Sequence, residues 1–482
     1  MKTYETVIGL EVHVELATKT KIFCNCSTAF GGEKNSHTCP VCLGMPGTLP
    51  VLNRAVLEKA LGVGLATNCE ISEVTQFDRK NYFYPDNPQN YQISQLYAPI
   101  CKNGWVEIDD PEKKKIRIHE IHMEEDAGKL IHAMSGKSLV DYNRAGVPLI
   151  EIVSEPDMRN AQEVIAYLEK LRILIQYLGA SDCKLQEGSM RADVNLSVRP
   201  IGTTEYGTRT EMKNLGSFRA ITKAIESERD RQIALLESGQ EILQETRRWD
   251  EDLNQSFSMR SKEDARDYRY FPDPDLPQIF VPKEMIEEVQ KNQPEFREAK
   301  IQRYKEEYAL PEYDIHILTE TKQMADFFEE ATYLTDEPKM VSNWLMGETL
   351  RLLKEHTMDV SDIRFTPKQL AALIELVKKK EITGTVAKEV FEKMFESGIE
   401  PKEYVEQQGL LTVRDETKLQ NVVQQIISEN EKSVQDYLAG KEKAIGFLVG
   451  QTMKCMNGQA DASYVKILLE ERLKEYRNSL KP

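Results

Sequence analysis

No uncharged stretch of this chain approaches the length of a bilayer-spanning helix, which excludes a helical membrane span. Basic charge is also scarce: 63 lysines and arginines face 79 aspartates and glutamates, a net charge of −16 across 482 residues. Such a chain does not present the broad basic surface that nucleic-acid backbones select, because phosphate contacts need local Lys and Arg. The deficit is uneven, since residues 405–482 hold 11 basic and 11 acidic side chains and all of the excess acid lies upstream. Cation-holding carboxylate clusters contribute to such an excess, as do ordinary solvated helices. A phosphate-binding loop is absent too. The Gly-Lys-Ser triplet ending at Ser138 has the tail of one, but the first glycine would fall at Ile131. Met1 to Glu5 lead straight into a strand pattern, so no leader peptide and a cytoplasmic location are expected. Apolar content of 40% with 29% charged residues suits a globular chain, and the length suggests roughly three domains.

Cysteine is the scarce residue that is used densely. Of eight, Cys24, Cys26, Cys39 and Cys42 crowd together as two short pairs. In a long cytosolic chain this clustering indicates metal rather than disulfides. Two pairs on tight turns direct four thiolates at one centre, the shell that zinc prefers. A closed set of four leaves no water-activating position, so a structural Zn2+ pinning an irregular loop is expected. His37 could replace one cysteine, but the spacing does not require it.

The first strand, Ile8 to Leu16, alternates Leu10, Val12, Val14 and Leu16 with Glu11, His13 and Glu15. A period of two predicts one buried and one polar face, and the polar face consists of metal-ligand types. A solvated face with an incidental histidine is the competing reading. Residues 189–198 repeat the pattern, with Met190, Ala192, Val194, Leu196 and Val198 opposite Ser189, Arg191, Asp193, Asn195 and Ser197. Arg209, Glu211 and Lys213 share the face of another strand. Between these lie Arg79, Lys80 and Tyr82 in an aromatic turn, and His119 to Lys129 with three consecutive acids, Glu124, Glu125 and Asp126. Glu124 and Glu125 must face opposite ways on a strand, so one of them at most shares a face with a given metal. Three strands with functional polar faces predict an antiparallel sheet whose open side is an active site, with exposure to bulk water as the alternative.

Helices are predicted over 53–67, from Asn160 with Glu163 completing a capping box, and over 217–238. Val164, Leu168, Leu171 and Ile175 give the second of these a core-facing stripe. Beyond residue 293 the chemistry thins into short helices, and 406–482 reads as a small helical binding module. Carboxylates and histidine on strands suit Mg2+ or Mn2+, while neighbouring Arg and Lys suit phosphate. Together they predict phosphoryl transfer from ATP.

Ile8-Gly9-Leu10-Glu11-Val12-His13-Val14-Glu15-Leu16, Phe77 to Asp86, His122 to Lys129, Asp267 to Pro272 and Gly446-Phe447-Leu448-Val449-Gly450-Gln451 together resemble the B-subunit family of the glutamine-dependent aspartyl/glutamyl-tRNA amidotransferases. The resemblance covers essentially the whole chain. It implies an α+β architecture: a glutamine-synthetase-like antiparallel-sheet cradle domain over 1–292, an all-helical domain over 293–405, and a tRNA-binding tail domain over 406–482. It further implies that ATP and Mg2+ phosphorylate the side-chain carboxylate of Glu-tRNA(Gln) or Asp-tRNA(Asn). Ammonia from a partner amidase A subunit then displaces phosphate, and a small C subunit completes a heterotrimer. By the same resemblance Mg2+ falls to Glu11, His13 and Glu125, with Glu124 as second candidate. Asp193 and Glu211 are added from their strand faces. Arg79, Lys80 and Tyr82 are placed near the ammonia exit or substrate, and Arg191 and Lys213 complete the set. The chain carries no Ser-Ser-Lys amidase signature and no Cys–His glutaminase pair, which predicts an external source of ammonia. A free-standing carboxylate–ammonia ligase and a non-enzymatic tRNA scaffold are the rival readings.

Overall fold

A computed structural model describes residues 3–132, 137–261, 268–412 and 416–479; Asp267 of the motifs quoted above lies outside them. The chain divides into two compact units, Met1–Phe296 and Arg297–Pro482.

The first unit is built on a nine-stranded sheet. In chain order its strands are β1 (Tyr4–Glu15), β2 (Glu70–Ile71), β3 (Cys101–Ile108), β4 (Lys114–Glu125) and β5 (Pro148–Ser154). They are followed by β6 (Met190–Pro200), β7 (Thr210–Lys213), β8 (Glu245–Asp250) and β9 (Gln255–Ser261). The spatial order is β9-β8-β7-β6-β1-β5-β4-β3-β2. Neighbours are antiparallel except β7 and β8, which run parallel. That exception to the expected antiparallel sheet has a topological cause. The connection from β7 to β8 passes through a long helix, Phe218–Glu237, and a crossover of this kind returns the chain in the same direction. The sheet is therefore mixed.

The alternation in the sequence sets which side faces the core. Leu10, Val12 and Val14 of β1 and Met190, Ala192, Val194, Leu196 and Val198 of β6 are all buried, in one cluster with the helix residues Val164, Leu168, Leu171 and Ile175. Each of the Val, Leu, Ile and Met side chains among them contributes about 1.5–3 kcal/mol on burial. A one-residue slip in β1 would exchange its apolar and polar rows, so the register of the site is enforced by the core behind it.

The helices begin where the capping residues predict. Asn53 caps Arg54–Ala66, Asn160 caps Ala161–Tyr177 and Ser217 caps Phe218–Glu237, each through its side-chain oxygen. The capping box at Asn160 is only half formed. Glu163 N–H donates to Asn160, but the Glu163 carboxylate accepts from Arg159 N–H at 2.9 Å and from Lys114 Nζ at 2.7 Å.

The second unit is helical among its described residues. One apolar cluster joins Tyr304 through Val405 and another joins Leu419 through Leu473. Among the described residues no helix of the chain is long and apolar enough to cross a membrane.

Candidate active site

Five strands, β1 and β4 to β7, aim polar side chains to one side of the first unit's sheet. Register sets His13 opposite Glu151 on β5 and opposite Arg191 on β6, while Glu151 faces His122 on β4. Glu11 stands opposite Asp193, and Asn195 opposite Glu211. Two ligand triads result, His13 with Glu124 and Glu151, and Glu11 with Asp193 and Glu211.

In the first triad Glu151 Oε2 lies 3.3 Å from His13 Nε2 and 3.1 Å from His122 Nε2. Glu124 bridges the same rings, with Oε1 at 3.6 Å from His13 and Oε2 at 3.7 Å from His122. Ser94 Oγ donates to Glu124 Oε2 at 3.2 Å. Burial opposes charge on both imidazoles, but the surrounding carboxylates outweigh it and hold both above the ordinary histidine range. Burial likewise opposes the Glu151 anion, yet the two imidazoles hold its carboxyl well below the usual range. Lys80 belongs to the same environment. Against burial, Glu124, Tyr270 and Glu151 keep its ammonium charged, and it lies 5.0 Å from the centre of the Tyr268 ring.

In the second triad Lys213 Nζ stands 2.5 Å from Asp193 Oδ2 and 2.8 Å from Glu211 Oε1. Asn195 Nδ2 donates to Glu11 Oε1 at 3.0 Å, and Thr246 Oγ1 to Glu211 Oε2 at 2.7 Å. Burial, followed by Glu151 and Glu211, pushes the Glu11 carboxyl up. At the flank Arg191 pairs with Asp126 at 2.7 Å. There burial and Asp126 push Glu15 up to about 8.

The donor atoms of each triad lie within 4.8 Å of one another, a span one ion can draw together. The three carboxylates of the second triad are hard donors of the kind Mg2+ and Mn2+ take, and the first triad offers two carboxylates beside a borderline imidazole nitrogen. Glu11 and His13 are alternate residues of one strand, so two such ions would sit side by side.

Glu125 is not part of either group. It turns to the other side of β4, where its Oε1 accepts the Ile93 N–H at 3.0 Å and burial pushes its carboxyl up to about 8. A single ion on Glu11, His13 and Glu125 is therefore not what this register assembles. Glu11 and His13 serve separate triads, and Glu124 takes the place beside His13. Arg79 also lies apart, bonded to Asp273 at 2.9 Å and Asp275 at 2.8 Å over the Tyr91 ring. Tyr82 packs edge-on against Tyr268. Arg79, Glu125, Cys24 and Cys42 line one cavity of about 280 Å³.

Sequence reasoning gave Glu151 and His122 no role. The signal for Glu151 was present, as a lone acid in the otherwise apolar strand Pro148–Ser154, and a buried charge is the informative exception in such a strand.

The four cysteine sulfurs also lie within 4.8 Å of one another, with Cys39 and Cys42 Sγ 3.9 Å apart. Zinc–sulfur bonds of about 2.3 Å in a tetrahedron put sulfurs about 3.8 Å apart, so the set fits zinc. His37 is not among the four.

Residues 6–287 match the GatB/GatE catalytic domain, and residues 326–473 match the GatB domain. Relatives named as the B subunit of aspartyl/glutamyl-tRNA(Asn/Gln) amidotransferase align along nearly the whole chain. That of Agathobacter rectalis is 64% identical over 475 residues, covering 98% of this chain and 100% of the relative. That of Lachnospira eligens is 62% identical over 483 residues with the same coverage. That of Caldicellulosiruptor saccharolyticus is 54% identical over 477 residues, 98% and 99% of the two chains. The sheet and its polar rows thus lie in the catalytic domain of an amidotransferase component, an enzyme of the carbon–nitrogen ligase class. The chain belongs to the B-subunit family of the aspartyl/glutamyl-tRNA(Asn/Gln) amidotransferases.

Proposed function

We propose that the open face of the sheet uses ATP to phosphorylate the side-chain carboxylate of Glu-tRNA(Gln), Asp-tRNA(Asn) or both, and then directs ammonia onto the acyl phosphate. The carrying observation is the adjacency of the two carboxylate-bearing triads on one face, with Lys80 beside the first and Lys213 within the second. A carboxylate resists ammonia because oxide is a poor leaving group, whereas phosphate leaves readily. The transferred phosphoryl group needs little covalent help. It needs positioning and charge neutralisation. Mg2+ bound at the triads would neutralise charge between ATP and the substrate carboxylate. Lys80 and Lys213 would offer fixed positive charge to phosphate oxygens, and the Arg191–Asp126 pair would hold the flank of the face.

Ammonia would come from glutamine hydrolysed by a partner amidase A subunit, with a small C subunit completing a heterotrimer. The absence of an amidase signature from the sequence supports this. Arg79, Lys80, Tyr82 and the cavity at Glu125 would lie on the substrate or ammonia side. Residues 1–292 would act as the cradle, 293–405 as a helical domain and the charge-balanced 406–482 as the tRNA-binding tail. Zn2+ at the cysteines would be structural.

The test is transfer of labelled γ-phosphate from ATP to Glu-tRNA(Gln) by the complex assembled with its A and C subunits, without glutamine or ammonia. Label on the aminoacyl carboxylate with the parent protein, and none with Glu124→Gln, is the expected result. No label in either with tRNA binding intact would favour a non-enzymatic scaffold, and turnover of a free amino acid without tRNA would favour a free-standing ligase.

A further inference from the structure

Lys21 is fully buried, and nothing in the proposed reaction uses its charge. Its Nζ lies 3.5 Å from Cys42 Sγ and 3.2 Å from the Tyr142 carbonyl oxygen. Among the described residues no carboxylate pairs with it. The aliphatic stem is threaded beside Gly146, where an added Cβ would stand 3.5 Å from both Lys21 Cδ and Cys42 Cβ. The backbone is tied as well, since Lys21 N–H donates to Cys26 O at 3.0 Å. One residue is thereby fixed to both cysteine pairs, through its main chain to the first and its side chain to the second.

An ammonium removed from water is costly to bury unless it meets an anion. The acidic group hydrogen-bonded to it is the Cys42 sulfur, while the Glu125 carboxyl lines the same cavity without an ion pair to Lys21 among the described residues. Four thiolates around one divalent ion carry a net charge of −2, which a buried lysine reduces to −1. Cys42 is the buried member of the four, and it also receives the Cys39 N–H at 3.2 Å. Two donors thus converge on the sulfur of the most buried of the four cysteines. Losing a hydrogen bond to a ligand atom typically costs a metal centre about 10- to 100-fold in affinity.

We propose that Lys21 is the charge-compensating donor of the cysteine centre, holding Cys42 as a metal-bound thiolate and slowing loss of the ion. The inference rests on the reading of Cys24, Cys26, Cys39 and Cys42 as zinc ligands and is independent of the chemistry on the open face. Lys21 is a positioning residue, so its test reads the metal rather than turnover.

The three-subunit complex would be prepared with the parent chain, Lys21→Met and Lys21→Arg. Zinc content would be measured by mass spectrometry and zinc release by transfer to a chromophoric chelator. The sulfur-to-metal charge-transfer band would be recorded after cobalt substitution. The parent should hold one zinc per chain at this centre. Lys21→Met should release it about 10- to 100-fold faster, with the cobalt band moved to longer wavelength, and Lys21→Arg should recover most of the difference. Release at the parental rate with an unmoved band in Lys21→Met would overturn the proposal. A parent chain without metal would remove the zinc reading itself, a separate result. If Lys21→Met accumulates only as aggregate, its zinc content decides. Zinc-free aggregate beside a loaded Lys21→Arg protein supports the role, and zinc-loaded aggregate overturns it.

Discussion

Glu124 and Glu125 are consecutive residues of one strand with opposite surroundings: Glu124 Oε1 lies 3.6 Å from His13 Nε2, while Glu125 Oε1 accepts the Ile93 N–H at 3.0 Å. The alternation of a strand separates them, and the two amide variants should separate in the same way. On the proposed reaction, Glu124→Gln is expected to reduce single-turnover phosphate transfer to the aminoacyl carboxylate by about 100-fold or more, because it removes an anion that would hold the metal next to developing charge. Glu125→Gln should stay within about threefold of the parent in the same step. Equal losses would contradict the division of roles.

Glu125 also predicts a pH dependence of stability. Its carboxyl is pushed up to about 8 in the folded protein by burial, far above its value in the unfolded chain. A group raised in this way gives stability that is complete below the unfolded pKa and is lost as pH rises through the folded one. The parent should therefore lose up to about 4 kcal/mol between pH 4.5 and 8 relative to Glu125→Gln, whose neutral amide mimics the protonated acid. Denaturant midpoints of the two proteins across that range measure the difference. Parallel profiles would count against a buried, neutral Glu125.

Much of this site is legible in the sequence because strand period and residue type are local properties. Glu11, His13, Asp193, Glu211 and Lys213 were recognisable from alternation alone, and the four cysteines from their spacing. The division into two triads was not. It depends on which residue of β5 lies opposite His13 and which residue of β4 lies opposite that one, and these pairings between strands are not written in any one strand. Glu124 and Glu125 were not told apart although the signal was local: Ile121 and Met123 of β4 lie in the core and alternate with His122 and Glu124, which puts Glu125 on the core side. The parallel β7–β8 pair was also hidden, because strand direction follows from a crossover helix rather than from the strand's own residues.

Glu151 is held between two imidazole nitrogens at 3.1 and 3.3 Å, and it keeps both rings above the ordinary histidine range. Removing one partner of such a buried group strands the other charges. Glu151→Gln should cost about 3 kcal/mol in denaturant unfolding near neutral pH and abolish phosphate transfer. The stability cost should shrink as pH rises through the folded pKa of the histidines, when the rings no longer need an anion. A cost that stays flat with pH would mean that the rings are neutral around Glu151. Adding His13→Gln to Glu151→Gln should restore part of the stability and none of the activity.

Lys213 occupies the second triad as a cation would, 2.5 Å from Asp193 and 2.8 Å from Glu211. It competes with a divalent ion for those carboxylates, yet it is also a fixed positive charge on the face where phosphate is proposed to bind. Lys213→Met should move these two effects in opposite directions. Relief of the competition leaves Glu11, Asp193 and Glu211 with uncompensated charge, so Mn2+ binding followed by electron paramagnetic resonance should tighten. ATP should bind less well, with KM for ATP rising about 10-fold, the equivalent of about 1.4 kcal/mol from one lost charged contact. Lys213→Arg should keep the ATP term better than the metal term, since its broader guanidinium cannot sit between two carboxylates as compactly as an ammonium. Mn2+ binding that weakens in Lys213→Met would show that the lysine organises the three carboxylates rather than competing for them, and would move the metal to the His13 triad alone.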